Sequence, residues 1–388
     1  MKTLLTIQDL SARSGGPSTC TRDLLQGLHN IDDEINLYTL KCSNPNDKNL
    51  GEGSKWLIEG DCDYFSPLYI SKNTKEFLES TNYDLYHTNG MWMYMNHITC
   101  EIARKKGKPY IISPHGMLYS NALLIKPFRK KLMLKVWFNK DVHNANCLHA
   151  TCKQEMVHIR KFGYKGPIAV IPNPVIIPDE IKLKDCDYER QNHGKMQLGI
   201  LARINPIKKI ENLILAAGKI IKEDNFNNIE VVIMGKGNDD YERYLRSLTE
   251  SLGISDKVKF LGFVKGKEKY ERLSRLRALF VPSESENFGM IVPEALICGT
   301  PVYASLGTPW EELNTQGCGW WRDNSPESIA EVIREIISLP SDTIFEMGKK
   351  GRDLIAKHYG QDMIAQQMYE LYRWLLNPNV IKPSFVYD

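Results

Sequence analysis

Short apolar runs recur along this chain, each stopped by glycine, proline or a polar turn, with longer stretches of helical spacing between them. In the first half the runs Thr3 to Ile7, Asn36 to Leu40, Asp84 to His87, Pro109 to Ser113, Asn146 to Ala150 and Ile168 to Pro174 predict strands. Helices are expected from about Ser18 to Leu28, near Thr74 to Glu79 and from His97 to Lys105. In the second half Gln197 to Ala202, Glu230 to Met234 and Leu279 to Val281 read as strands, and Ile210 to Ile221, Pro326 to Ser338 and Gln361 to Leu376 as helices. Strand and helix in alternation is the rhythm of a parallel sheet covered on both faces. Val175 to Lys195 is rich in Pro, Asp, Lys and Glu and has little apolar period, so a domain boundary belongs there. The expectation is an α/β chain with one domain over 1–178, a second over 195–360, and a closing helix with a loose tail over 361–388.

The stretch from Val281 to Tyr303 carries the most chemistry. An apolar strand stops at Pro282, a polar loop with Glu284 and Glu286 follows, and Phe288 and Gly289 lead into an apolar run that ends at Gly299. This predicts a helix starting near Gly289, with Pro293 tolerated in its first turn. Free N–H groups there suit a phosphate over Gly289, Met290 and Ile291. Counted at helical rise, Glu286 and Glu294 are on the order of 10 Å apart, so each carboxylate could accept hydrogen bonds from hydroxyls on either side of that phosphate. A solvated acidic turn before an ordinary core helix fits the two glutamates alone equally well.

Other loops at strand ends add candidates. Gly15 and Gly16 lie between the first strand and a helix, where bare backbone lets a phosphate approach. His87 and His115 follow strand patterns, in Tyr-His-Thr-Asn-Gly and Ser-Pro-His-Gly. Arg203 and Lys208 follow another strand, a guanidinium fork and a point charge suited to phosphate oxygens. Gly235 opens a short glycine turn after Met234, and Asn173 sits in Ile-Pro-Asn-Pro. Gly307 to Trp310, with Trp320 and Trp321, suggests packing.

Glu286, Phe288, Gly289, Glu294, Ala295, Gly299, Thr300, Pro301 and Val302 together resemble the donor-site signature of retaining, nucleotide-sugar-dependent glycosyltransferases of the family-four (glycosyl transferases group 1) type. The resemblance is clearest from Leu198 to Trp321. It implies a GT-B fold: two doubly wound Rossmann-like domains facing across a cleft, acceptor-binding first and donor-binding second, with the last helix crossing back to the first domain. It gives the donor sugar's hydroxyls to Glu286, the diphosphate to the backbone from Phe288 to Ile291, and the ribose to Glu294. It likewise gives departure of the diphosphate to Arg203 and Lys208, a contact with the donor sugar to His115, and places near the ligands to Gly15, Gly16, His87, Asn173 and Gly235. The chain departs from the pattern at Lys209, where the family usually carries Gly, and at Cys152, which replaces Ser in a Thr-Ser-x-x-Glu sequence. The implied reaction is metal-independent and needs no cofactor. It takes a UDP- or GDP-linked sugar to a saccharide or lipid-linked saccharide in surface polysaccharide biosynthesis. A nucleotide-sugar sensor, or an epimerase or phosphorylase on the same scaffold, is the alternative.

At 388 residues and 42% apolar content the chain can bury two cores. A net charge of +3 argues against a general nucleic-acid binder. Nine scattered cysteines with no Cys-x-x-Cys pair fit a reducing cytoplasm, and Asp61-Cys62-Asp63 is an Asp-x-Asp in a first-domain loop. No signal peptide or membrane span is expected. Between Lys126 and Lys140, six cations interleave with Phe128, Leu132, Leu134, Val136, Trp137 and Phe138. That basic amphipathic stretch fits either the inner face of a membrane, as a peripheral contact, or a solvated face of a core helix.

Overall fold

The computed structural model describes residues 1–11, 14–42, 47–61, 68–178, 181, 195–224 and 226–388. Most of the expected linker lies outside them, at 179–180 and 182–194, as do Cys62 and Asp63. The chain divides into two compact units, Met1–Ile176 with Tyr359–Asp388, and Ile177–His358.

The first unit carries strands β1 (Thr3–Ile7), β2 (Ile35–Leu40), β3 (Leu57–Gly60), β4 (Leu85–Asn89), β5 (Tyr110–Ser113), β6 (Cys147–Ala150) and β7 (Ile168–Val170). They pair in the order β7-β6-β5-β4-β1-β2-β3, every pair parallel. The second unit carries β8 (Met196–Leu201), β9 (Ile229–Met234), β10 (Val258–Gly262), β11 (Ala278–Val281), β12 (Val302–Ser305) and β13 (Gly319–Arg322). Their order is β10-β9-β8-β11-β12-β13, again parallel throughout. Each sheet winds outward from its first strand and then reverses, between β1 and β4 and between β8 and β11, which is the doubly wound plan. Helices cover both faces of such sheets, which is why β1 and β11 are buried along their whole length.

The helix Gln361–Leu376 packs on the helix Gly16–Ile31 within the first unit. Gly27 permits the approach: a β-carbon there would stand 2.7 Å from Cβ of Ala365. The tail expected to be loose after Asn377 is tied down instead. Val386–Tyr387 forms β14, antiparallel to β7, and Val170 N–H donates to Phe385 O at 2.9 Å. An unpaired strand edge gains hydrogen bonds when covered, and buried Val386 adds apolar contact, so a short segment with no strand-like length is still ordered.

Candidate functional site

β8 ends at Leu201 and β11 at Val281, on either side of the place where the second sheet reverses, and the loops that follow them meet there. After β8, Arg203 is exposed; then Asn205 Oδ1 accepts from Ile207 N–H at 3.1 Å and a single 3-10 turn, Pro206–Lys208, follows. Lys208 reaches the second loop: its Nζ lies 2.5 Å from Glu286 Oε1, and Ser283 Oγ donates to the same oxygen at 2.8 Å. The two side chains keep 22% and 14% of their surface, so water screens their attraction less than it would at an open surface. Glu284 N–H donates to Ile207 O at 2.8 Å and cross-ties the loops. Lys209 adopts φ 49° and ψ 42°, a left-handed conformation that costs a side-chain-bearing residue about 1 kcal/mol. This is the position where glycine was anticipated, and the turn forms with lysine in it.

A third segment fixes the acidic loop. Glu286 N–H donates to Gly307 O at 2.9 Å, Trp310 Nε1 donates to Phe288 O at 2.6 Å, and the rings of Phe288 and Trp310 meet at 5.2 Å. Gly307 passes so near Glu284 that a β-carbon on it would be 2.2 Å from the carbonyl oxygen. Trp310 packs, as expected, and its indole also holds the loop. A buried indole N–H needs an acceptor, which was the available signal, but the sequence does not say which carbonyl it finds.

The helix begins at Ile291 with Met290 as its cap, two residues later than expected, because Gly289 takes a left-handed turn at φ 75°. Pro293 is its third residue, where no intrahelical N–H is needed. Glu286 to Gly289 is therefore loop, and the helical spacing assumed between the two glutamates does not apply. Glu294 pairs instead with Lys269 at 2.9 Å, from the helix Gly266–Arg275. Burial opposes the Lys269 charge, but Glu294 and Tyr270 outweigh it and raise its pKa.

An open concavity lies between the ends of β8 and β11 and the start of the helix Ile291–Ile297. Of the expected residues, Lys208, Glu286, Gly289, Met290 and Ile291 line it; Arg203, Gly235, Phe288 and Glu294 do not. Gly235 serves the backbone: at φ 141°, a β-carbon would stand 1.9 Å from Ala202 O.

In the first unit Gly15, at φ 81°, caps the helix Gly16–Ile31, and a β-carbon on Gly16 would meet nothing within 4 Å. His115 is also left-handed, at φ 50°, with Nε2 3.1 Å from Asn89 Oδ1. Burial and the nearby His149 lower its pKa to about 3. Gly116 N–H donates to Glu155 Oε1 at 2.5 Å, and Glu155 also accepts from Thr151. Cys152 Sγ accepts from Glu155 N–H at 3.4 Å, so sulfur performs the cap. Asn173 is buried beyond β7, which stops at Val170 rather than Pro174.

His87 requires correction. It lies inside β4, fully buried, not at a strand end, and both ring nitrogens are taken by the protein. Nδ1 is 2.7 Å from Tyr372 Oη and Nε2 is 2.6 Å from Ser113 Oγ, which is 2.6 Å from His149 Nδ1; His149 Nε2 is 2.8 Å from Ile171 O. A carbonyl only accepts, so His149 donates from Nε2, Ser113 donates to His149, His87 donates to Ser113, and Tyr372 donates to His87. His87 thereby ties the helix Gln361–Leu376 to the sheet and presents no free nitrogen to a ligand. Among the described residues, no three His, Cys, Asp or Glu are gathered so as to hold a metal ion.

Residues 14–177 match the family described as Glycosyltransferase Family 4, and residues 187–354 match that described as Glycosyl transferases group 1. An uncharacterized glycosyltransferase of Methanocaldococcus jannaschii is 32% identical over 47% of this chain, and the match spans about half that protein's length, 46%. A D-inositol 3-phosphate glycosyltransferase of Frankia alni is 34% identical over 77% of this chain and 76% of its own. Among solved structures, the HepE protein of Anabaena in complex with UDP and glucose superposes with a TM-score of 0.76 at 19% identity, covering 96% of this chain and 100% of that one. Sucrose-phosphate synthase of Thermosynechococcus elongatus gives 0.77 at 20% identity, covering 97% and 99%. At such identities the two structures speak to the fold alone.

Proposed function

We propose, from the premise that this chain belongs to the family-four, group 1 glycosyltransferases of GT-B fold, that it moves a sugar from a nucleoside diphosphate sugar to an acceptor hydroxyl. The reading includes retention of configuration and independence from metal. One observation carries it: the Lys208–Glu286 pair on the wall of a concavity at the switch point, beside the helix start at Ile291.

In this reading the amides from Phe288 to Ile291 take the diphosphate, Glu294 takes the ribose, and the sugar's hydroxyls take Glu286. Glu286 then releases Lys208, which with Arg203 stabilises the charge that appears as the bond from the anomeric carbon to the diphosphate breaks. The acceptor oxygen bonds to that carbon from the same face, and its proton leaves with the diphosphate. No protein nucleophile is assigned. His115, Gly15, Gly16 and Asn173 are assigned to ligand contact on the family resemblance. Support for a UDP-linked donor comes from HepE, solved with UDP and glucose, and for a GDP-linked one from a related GDP-mannose-dependent mannosyltransferase of Mycobacterium tuberculosis. The acceptor is a saccharide or lipid-linked saccharide, in surface polysaccharide assembly at the cytoplasmic side.

Incubation with a panel of nucleotide sugars, reading nucleoside diphosphate release with and without EDTA, tests the reading. One donor should turn over slowly in water in both conditions. Glu286→Ala and Lys208→Ala should each reduce turnover at least 100-fold, about 3 kcal/mol of lost transition-state stabilisation, with the melting temperature unchanged. Near-normal rates in either variant sink the assignment, and binding without turnover leaves a nucleotide-sugar sensor.

A further inference from the structure

The basic stretch does not fold as one helix. Pro127 disfavours helical backbone at the residue before it, and Lys126 sits at φ 53°, so a new helix, Pro127–Met133, starts there. It runs into a widened π-turn, Leu134–Phe138, in which Asn139 N–H donates to Leu134 O, and then into the helix Asn139–His143. The wide turn has a consequence for sidedness. Met133 and Phe138, five residues apart, are both buried, while Phe128, Leu132 and Val136, four apart, all face out. These three keep 86%, 62% and 59% of their surface, and Leu124 and Ile125, just before the break, keep 75% and 63%. A ridge of five large apolar side chains is thus held in water by a fold that has already used its core-facing positions.

The ridge is set among Lys126, Arg129, Lys130, Lys131, Lys135 and Lys140, and no Asp or Glu occurs from Ile102 to Lys140, in a chain whose net charge is only +3. Asp141, the next acid, is fully buried and engaged by Arg104 and His97.

We propose that this ridge docks the first unit on an anionic lipid bilayer, with the apolar side chains among the acyl chains and the cations at the phosphates. Charge complementarity selects this occupant. A bilayer supplies an apolar layer directly beneath a negative one, matching the ridge and its border together. A second copy on the same face would set six cations against six. A nucleic acid would meet the cations and leave the ridge in water. Among the described residues no helix is long and apolar enough to cross a membrane, so the contact is interfacial. This inference is independent of the donor site.

The test is co-sedimentation of the whole chain with vesicles of phosphatidylcholine alone and of phosphatidylcholine mixed with phosphatidylglycerol, at low and high salt. The chain should bind the mixed vesicles, weakly at high salt and little to the neutral ones. Phe128→Ser with Leu132→Ser should lower the partition coefficient about tenfold or more. Lys131→Glu with Lys135→Glu should lower it comparably at low salt. Both variants should keep the wild-type melting temperature and solution donor hydrolysis, since all four side chains are exposed. Failure of the wild-type chain to sediment with mixed vesicles, wild-type binding by either variant, or a dimer that both variants dissociate overturns the proposal. Loss of donor turnover alone would instead count against the reading of the donor site.

Discussion

At the scale of single residues, the types that matter were visible and their partners were not. Glu286 and Lys208 stand out because a carboxylate and an ammonium follow strand ends, but their contact spans 78 positions and depends on where two loops fold. Trp310 shows the same limit more sharply: it reads as packing, yet its indole donates to the carbonyl of Phe288 and shapes the acidic loop. Trp310→Phe keeps an aromatic ring against Phe288 but removes that donor, along with part of a buried indole. It should weaken nucleotide-sugar binding roughly tenfold, the effect of a lost buried hydrogen bond of about 1–1.5 kcal/mol, and lower the melting temperature through the space the smaller ring leaves; calorimetric titration with the preferred donor, below the melting transition, reads the affinity. Unchanged affinity would show that the loop holds its shape without the indole.

At the scale of elements, long periodic segments were legible and short or irregular ones were not. The helices Pro326–Ser338 and Gln361–Leu376 fall where their apolar spacing puts them. The helix at Ile291 starts late because a left-handed glycine sits where regular spacing would continue, and β14 appears because β7 leaves an edge to cover. Capping is an element-scale property too. Cys152 accepts from Glu155 N–H through a weakly accepting sulfur at the start of the helix Lys153–Phe162. Cys152→Ser supplies the stronger acceptor and should raise stability by about 0.5–1 kcal/mol, read as a shifted urea midpoint at constant slope. A destabilised variant would mean that the smaller hydroxyl loses more packing than the cap returns.

At the scale of the whole molecule, the buried histidine chain links β4, β5, β6 and the helix Gln361–Leu376, and it holds only with neutral rings. Burial lowers His149 to about 4 despite its bond to the Ile171 carbonyl, and burial, with His149 and His115, holds His87 well below the usual histidine value. In the unfolded chain these rings titrate near 6.5, so below that pH the unfolded state binds more protons than the folded one. The stability they confer is complete above about pH 7 and falls as pH drops from 6.5 toward about 4, by on the order of 3 kcal/mol for His149. Denaturant melts at pH 7.5, 6 and 5 should show this decline, reduced in His149→Gln. A flat profile would mean that the rings take up protons as readily in the folded protein as in the unfolded chain.

The amino-acid sequence by itself determined the α/β alternation, the two sheets and the residue types at their strand ends, because periodicity and turn chemistry are local properties of the chain. Only the tertiary structure decided that Lys208 and not Arg203 meets Glu286, that Glu294 goes to Lys269, that His87 belongs to the interior, and that Phe128, Leu132 and Val136 share the exterior. The physical reason is common to all four. Each depends on which surfaces remain after strands and helices have packed, and that remainder follows from contacts between distant positions.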